Sequence, residues 1–318
     1  MKVLIATDNS SSSDHAALFL RELHFHEPLD VILLTVAGYP PATNTEYLEP
    51  WFPDWVETQR ELATKNHAML TEKLRNRCAS IRRMYLPGHA ANVILEQAAE
   101  EEVDLIVMGA RGHSLLDRVL LGSISDYVAT HAKTSVLVVR PNSGDFTDKE
   151  LASQHKRANK ISIAYDGSNQ SRASVDEMLQ LDWDRDSQAV VVSITPIYDY
   201  IMGDGMTAAA VTNEDEIFST MNQAAQRMCK RVRGTLPNSA AVVTRNHHVG
   251  DAIVNIANEN GSDLLVIGDA GHGRIHDLIL GNTTKYVLRH ANCSVWISRH
   301  AKVQSAADSA ESSGMATT

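Results

Sequence analysis

The sequence predicts two tandem α/β domains, each a doubly wound parallel sheet with helices on both faces. Short apolar stretches alternate with helical patterns along the chain, which is the order found in such sheets. One stretch, 103–108, is apolar except for a single acid near its start, as expected for a strand buried on both faces. The length of 318 residues fits two domains of ordinary size.

The second half of the chain repeats the first. Four pairs of residues share a spacing of 159 positions: Gly109 and Gly268, Gly122 and Gly281, His131 and His290, and Arg140 and Arg299. Because the spacing stays constant across a whole strand-and-helix unit, we interpret it as an internal duplication.

The first half begins with a strand and continues with alternating elements. Strands are predicted at 2–7, 31–36, 80–85, 103–108 and 135–140, and helices from 14, at 54–77 and at 89–101. The helix at 54–77 is predicted to turn Leu62, Met69 and Leu74 inward.

The second half follows the same order. Strands are predicted at 160–165, 189–195, 241–246, 262–267 and 295–297, and helices from 170, at 214–233 and at 251–259. The first domain is therefore placed at 1–141 and the second at 159–300. A polar linker at 142–158 joins them, and a Ser/Ala-rich tail at 301–318 is predicted to be disordered.

A long loop is predicted after the second strand, at 38–53. It is acidic, aromatic and proline-bearing, and about 16 residues is long for a loop inside a compact domain. A lid, a contact for a partner and a packed surface loop all fit this composition.

Composition excludes several classes of protein. A formal charge of −10 argues against binding to nucleic acid or to an anionic membrane surface, since phosphates demand clustered Lys and Arg. No apolar run reaches the roughly 18 residues of a membrane span, and the first strand carries Asp8 too early for a signal peptide. Three cysteines without metal-ligand spacing suggest free thiols in a reducing cytoplasm, so we predict a cytoplasmic protein.

A glycine-bearing loop follows the buried strand at 103–108. Glycines at 109, 112 and 122 allow positive φ and let backbone N–H groups approach a ligand. Ser123 and Ser125 add hydroxyls where a helix is predicted to begin, and a helix N-terminus offers unpaired N–H donors with partial positive charge. This combination is typical of a site for a phosphate-bearing ligand.

The spacing G-x2-G-x9-G-[S/T] at the end of an α/β unit resembles the ATP-binding signature of the universal stress protein family. Here the resemblance extends in tandem over roughly 1–141 and 158–300. It implies a five-stranded sheet of order 3-2-1-4-5 and an adenine nucleotide as cofactor, with or without Mg²⁺. It also implies association through the last strands, either as a homodimer or by pairing of the two halves within one chain.

The resemblance implies one nucleotide site in each half. The first comprises Ala6, Asp8, Val36, Met108, Gly109, Arg111, Gly112, His113, Gly122, Ser123, Ile124 and Ser125. The second comprises Asp166, Ile267, Gly268, Gly271, Gly281, Asn282, Thr283 and Thr284. The carboxylate of Asp8 is expected to accept from ribose or adenine and Val36 to pack on the base. The loop amides, with Ser123 and Ser125, are expected to hold the phosphates.

Each assignment has a structural alternative. Asp8 could cap the first helix or its turn, and Gly109 and Gly112 could merely permit a tight turn. Arg111 could face solvent, since its counterpart is Ala270, and His113 could be a structural imidazole.

The second site departs from the pattern of the first. Asn282 replaces the first hydroxyl there, and the acid Asp269 lies close to the expected phosphates. We therefore expect the second site either to bind more weakly than the first or to be empty.

The sequence shows no catalytic machinery that stands out by spacing. It has no G-x4-GK[ST] motif, and no lysine for phosphate follows either glycine loop. The leading hypothesis is an ATP-binding sensor or regulator of a stress response, with at most weak ATP hydrolysis or autophosphorylation. A nucleotide-independent scaffold and a slow ATPase are the alternatives.

Overall fold

The computed structural model describes residues 1–38, 52–111, 121–140, 159–197, 208–269 and 280–299. The chain divides into two compact units, Met1–Arg157 and Ala158–Thr318. The predicted linker at 142–158, the tail at 301–318 and most of the loop at 38–53 lie outside the described residues.

The first unit alternates strands and helices. Its strands are β1 (Lys2–Thr7), β2 (His24–Phe25), β3 (Leu29–Ala37), β4 (Cys78–Pro87), β5 (Leu105–Gly109) and β6 (Ser135–Val139). Its helices are α1 (Ser11–Glu22), α2 (Phe52–Leu74), α3 (Ala90–Glu100) and α4 (Ser123–His131), and a 3₁₀ turn (Arg75–Arg77) follows α2.

The sheet of the first unit is parallel. β1 pairs with β3 on one side and β5 on the other, β3 pairs with β4, and β5 pairs with β6. Every residue of β5 and β6 is buried, and since successive side chains point to opposite faces, both faces of these strands are covered. The predicted α/β class is confirmed. The winding reverses between β1 and β5, where ligands of open α/β sheets lie.

The second unit has the same architecture. Its strands are β7 (Lys160–Ala164), β8 (Leu181–Asp182), β9 (Gln188–Pro196), β10 (Asn238–Asn246), β11 (Leu264–Gly268) and β12 (Ser294–Ser298). Its helices are α5 (Asn169–Leu179), α6 (Ala208–Val232), α7 (Val249–Glu259) and α8 (Asn282–His290). β7 pairs with β9 and β11, β9 with β10, and β11 with β12, all in parallel.

Helix α1 begins three residues before the predicted start at 14. The hydroxyl of Ser10 accepts a hydrogen bond from the Ser13 amide at 3.2 Å and so caps the helix. Ser168 caps α5 in the same way, accepting from the Ser171 amide at 3.1 Å. The serines at 11–13 therefore belong to the helix.

Helix α2 buries a face that differs in part from the one predicted. Leu62 is 45% exposed, so the prediction for this residue was wrong, whereas Met69 is half-buried and Leu74 is buried. The buried stripe instead contains the small Ala63 and the polar His67. His67 Nε2 lies 2.8 Å from Thr35 Oγ1 on β3, which places this stripe against the sheet.

Candidate functional site

A cavity of about 240 Å³ opens at the carboxyl ends of the central strands of the second unit. Its floor comes from the ends of β7, β9 and β11, and its walls come from α7 and the first turn of α8. The residues that line it are Ala164, Tyr165, Asp166, Ser171, Val192, Ile194, Val249, Ile253, Ile267, Gly268, Gly281, Asn282, Thr283 and Thr284.

The cavity brings together the predicted residues of the second site. Asp166 enters from the end of β7, Ile267 and Gly268 from the end of β11, and 281–284 from the start of α8. Gly271 lies outside the described residues. Residues far apart in sequence thus meet where the winding of the sheet reverses.

One side of the cavity is apolar, and the sequence analysis missed most of it. Val192 and Ile194 come from β9, and Val249 and Ile253 come from α7. Ile194 could have been found, because it occupies the position in β9 that Val36 occupies in β3. Val249 and Ile253 have apolar side chains, so no sequence motif identified them as site residues.

The N-terminus of α8, which no side chain caps, also lines the cavity. Gly281 occupies the cap position, and the first intrahelical bond runs from the Lys285 amide to the Gly281 carbonyl at 2.8 Å. The amides of 282–284 therefore have no acceptor within the helix. By contrast, Ser168 supplies a cap to α5 in the same unit.

The first unit repeats this arrangement at α4. Gly122 is the cap residue without a side-chain bond, and the first intrahelical bond runs from the Asp126 amide to the Gly122 carbonyl at 2.8 Å. Ser123 and Ile124 are exposed at the helix start.

The second hydroxyl of each motif has a structural bond. Ser125 Oγ donates to the Gly109 carbonyl at 2.8 Å, and Thr284 Oγ1 donates to the Gly268 carbonyl at the same distance. Both side chains are buried. The expectation that the Ser125 hydroxyl donates to phosphate is therefore corrected: its proton ties the helix start to the end of the preceding strand.

Gly109 and Gly122 do not use the positive φ that the sequence analysis allowed for them. Gly122 has a φ of −63°, and neither it nor Gly109 adopts a positive φ. The Gly122 amide donates to the Ala110 carbonyl at 2.7 Å, so it is engaged inside the loop. Gly109 is needed for close packing, since a Cβ there would lie 2.4 Å from Ser12 Oγ and 2.8 Å from the Ser12 backbone.

The two acids that follow the first strands support local turns. Asp8 Oδ1 accepts from the Ser10 amide at 3.1 Å and from Ser10 Oγ at 2.5 Å. Asp166 Oδ1 accepts from the Ser168 amide at 2.9 Å, while Asp166 also lines the cavity. Asp8 therefore stabilises the turn before α1 through one carboxylate oxygen, whereas Ser10 caps the helix itself.

The other predicted residues of the first site are placed as follows. Ala6 and Met108 are buried at the ends of β1 and β5, and Val36 and Arg111 are half-buried. Gly112 and His113 lie outside the described residues.

A buried ion pair accompanies the second site. Arg299 Nε lies 3.7 Å from Asp269 Oδ2, and burial lowers the pKa of this guanidinium to about 10, against the opposing effect of the Asp269 carboxylate. The Asp269 carbonyl also accepts from the Gly281 amide at 2.8 Å, which holds the start of α8. The negative charge of Asp269 is thus paired with the Arg299 guanidinium. In the first unit Ala110 occupies the position of Asp269.

The described ranges contain neither a metal-binding cluster nor a membrane-spanning helix. Between 1 and 299, outside the gaps named above, no group of three His, Cys, Asp or Glu side chains is arranged to hold a metal ion. In the same parts of the chain no helix has both the length and the apolar character needed to cross a membrane.

Comparison with known sequences supports the duplication. A sequence profile described as the universal stress protein family matches the chain twice, over 1–140 and 158–299. A universal stress protein from Thermus aquaticus is 35% identical over 143 residues, covering 43% of this chain and 97% of the relative. One from Methanothermobacter thermautotrophicus is 43% identical over 140 residues, covering 44% and 94%.

Solved structures share the fold over most of the chain. A universal stress protein from Archaeoglobus fulgidus has a TM-score of 0.58 at 18% identity and covers 94% of this chain and 96% of its own. A functionally unknown protein from Pseudomonas aeruginosa has a TM-score of 0.56 at 13% identity and covers 98% and 97%. With both profile matches filling nearly the whole chain, this protein belongs to the universal stress protein family as a tandem two-domain member.

Proposed function

We propose that this protein binds an adenine nucleotide in the cavity of the second unit and at the corresponding position of the first. Through that binding it acts as a sensor or regulator in a stress response. The observation that carries the proposal is one cavity lined both by apolar side chains and by an uncapped helix N-terminus. A nucleotide has the complementary chemistry, because the flat face of its aromatic base packs on apolar side chains and its phosphates are anionic.

The phosphate half of the ligand is assigned to the start of α8. The amides of 282–284 lack acceptors within the helix, and the helix dipole adds partial positive charge. Each such interaction contributes about 0.3–2 kcal/mol. Micromolar affinity requires about 8 kcal/mol, so the phosphate contacts need the base contacts as well.

The base is assigned to the apolar half of the cavity, between Ile194 on β9 and Ile253 on α7. The volume of about 240 Å³ is somewhat below the roughly 300–1,000 Å³ of common ligand sites. The enclosed space therefore suits the base and sugar, and the phosphates would lie at its rim. We assign to Asp166 the role of accepting a hydrogen bond from a sugar hydroxyl.

The proposal is tested by identifying the nucleotide that copurifies with the protein. Denatured protein should release an adenine nucleotide that mass spectrometry detects, and the Val249→Trp variant should release less. Val249 lines the cavity and is half-exposed, so a larger side chain there fills the binding space without burying a new group in the core.

A matched variant separates the two units. Ala90 holds the position in α3 that Val249 holds in α7, so Ala90→Trp should reduce only the share bound by the first unit. If neither wild-type protein nor either variant releases nucleotide, and ATP, ADP and AMP leave the melting temperature unchanged, the nucleotide-independent scaffold is the better description.

A further inference from the structure

We propose that Tyr286 is a positioning residue for the cavity of the second unit. Together with Gly250 and Asp251 it sets the spacing between α7 and α8, which both contribute lining residues to the cavity. The inference rests on the proposed nucleotide binding, because it assigns to these residues a specific part in that binding. We call the three residues the helix clamp.

The first contact of the helix clamp is steric. A Cβ on Gly250 would lie 2.9 Å from Tyr286 Cδ1 and 3.0 Å from its Cβ and Cγ. Real Cβ atoms essentially never approach below 3.0 Å, so the ring of Tyr286 occupies the space of the missing side chain. Glycine is disfavoured in a helix relative to alanine, which makes its presence in the first turn of α7 informative.

The second contact is polar. The Tyr286 hydroxyl donates to Asp251 Oδ1 at 3.1 Å, next to Gly250 on α7. On its own helix the Tyr286 ring stacks on His290 with centroids 4.0 Å apart, and His290 Nδ1 lies 2.8 Å from the Tyr286 carbonyl. The Tyr286 ring is therefore oriented by its stacking within α8 while it packs against Gly250 on α7.

The residues of the helix clamp are neighbours in sequence of residues that line the cavity. Val249 and Ile253 on α7 line the cavity on either side of Gly250 in sequence, and 282–284 line it one turn before Tyr286. A change in spacing of about 0.5–1 Å forfeits a quarter to a half of the dispersion energy of each contact. A nucleotide that touches both walls is therefore sensitive to the clamp, whereas an anion that touches α8 alone is not.

The first unit provides a natural comparison. Tyr127 and His131 repeat the ring stack with the same centroid distance of 4.0 Å. However, Ala91 and Asn92 replace Gly250 and Asp251, so the glycine and the acid are specific to the second unit. This contrast points to a spacing tuned for the site in which Asn282 has replaced a hydroxyl.

Titration calorimetry with ATP and with inorganic triphosphate tests the helix clamp. Gly250→Ala should weaken ATP binding to the second unit by about fivefold or more, the lower end of the cost of overpacking. Tyr286→Phe keeps the ring and should cost about two- to threefold. Inorganic triphosphate, which needs only the α8 amides, should bind all three proteins within a factor of two.

Control variants separate spacing from damage to the fold. Tyr286→Ala removes the ring, so adding Gly250→Ala to it should change ATP affinity no further. Tyr127→Phe in the first unit should leave binding to the second unit unchanged. If Gly250→Ala binds ATP like the wild type, the helix clamp is refuted while the proposed function stands.

If the wild-type protein binds no nucleotide, the proposed function fails and hydrogen exchange still tests the clamp. Amides of α7 and α8 should then exchange faster in Gly250→Ala than in the wild type, while those of α3 and α4 remain unchanged. Equal exchange in α7 and α8 would reject the proposed coupling between these helices.

Discussion

At the scale of single residues, His67 links helix α2 to strand β3 through a buried imidazole. Its side chain is almost fully buried, and its Nε2 lies 2.8 Å from Thr35 Oγ1. Burial lowers the pKa of this imidazole to about 4, and the nearby charge of Arg83 acts in the same direction. His67 is therefore neutral at neutral pH and can share a hydrogen bond with Thr35.

The lowered pKa of His67 predicts a loss of stability in mild acid. The unfolded chain binds the proton with a pKa near 6.5, whereas the folded protein resists it down to about 4. The stabilisation is complete above the unfolded pKa and is lost as pH falls toward the folded one. Between pH 7.5 and 5 the free energy of unfolding should fall by about 2 kcal/mol from this group.

Urea denaturation at both pH values measures this effect. His67→Leu should lack that part of the pH dependence, even though it is less stable at pH 7.5. The exposed Leu62 on the same helix offers a control, since its side chain does not titrate and Leu62→Ala should keep the wild-type slope. Identical slopes for His67→Leu and the wild type would show that His67 does not titrate in this range.

The identities of the site residues were easier to predict than their bonds. Gly268, Gly281 and Thr284 could be found from the repeat, because their types and spacing are written in the sequence. The bond from Thr284 to the Gly268 carbonyl could not, since it depends on how closely α8 approaches the end of β11. Hydroxyls at a helix start suit both a ligand and a backbone carbonyl, and only the fold decides between them.

At the scale of elements, Gly109 and Gly268 allow a helix to pack on a strand end. A Cβ on Gly109 would lie within 2.8 Å of the Ser12 backbone, whereas one on Gly268 would lie 3.1 Å from the Gln170 backbone. Gly109→Ala should therefore lower the free energy of unfolding by about 1–3 kcal/mol, and Gly268→Ala by less. Backbone neighbours in the first turn of α1 cannot rotate away.

Chemical denaturation of both variants checks this order. Gly38→Ala is the control, because no atom of the described residues lies within 4 Å of the position its Cβ would take. Equal stability of Gly109→Ala and Gly38→Ala would contradict close packing as the reason for the glycine.

The buried face of α2 shows where a periodic pattern is ambiguous. Leu62 and Met69 fit a helical stripe as well as Ala63 and Leu70 do, because the two pairs differ by one position. The structure buries the stripe with the small Ala63 and with His67 bonded to Thr35. Close approach to the sheet and one polar bond thus outweigh the larger apolar side chain.

At the scale of the whole molecule, the α/β class could be predicted because several buried strands, such as β5 and β11, are continuous apolar runs. Because the second half repeats the order of the first, each predicted element had a counterpart that supported its assignment. The cavity of the second unit could not be predicted in full, since Val249 and Ile253 reach it from a helix without chemical motif. Tertiary packing, and not sequence spacing, brings that wall to the strand ends.

ATP should stabilise the second unit as a cooperative body. A ligand that binds only the folded state adds about 4 kcal/mol to the free energy of unfolding at a thousandfold excess over Kd. Amides in β7, β9 and β11 should therefore exchange more slowly with ATP, because these strands form the floor of the cavity. Hydrogen exchange resolved by mass spectrometry measures each strand separately.

Val249→Trp distinguishes this stabilisation from a general effect of ATP. The variant should lose the added protection in the second unit, while β1, β3 and β5 respond to ATP as they do in the wild type. Ala90→Trp should show the reverse pattern. If filling the cavity leaves the ATP-dependent protection of β7, β9 and β11 intact, the nucleotide binds elsewhere, since a ligand excluded from its site cannot stabilise the fold around it.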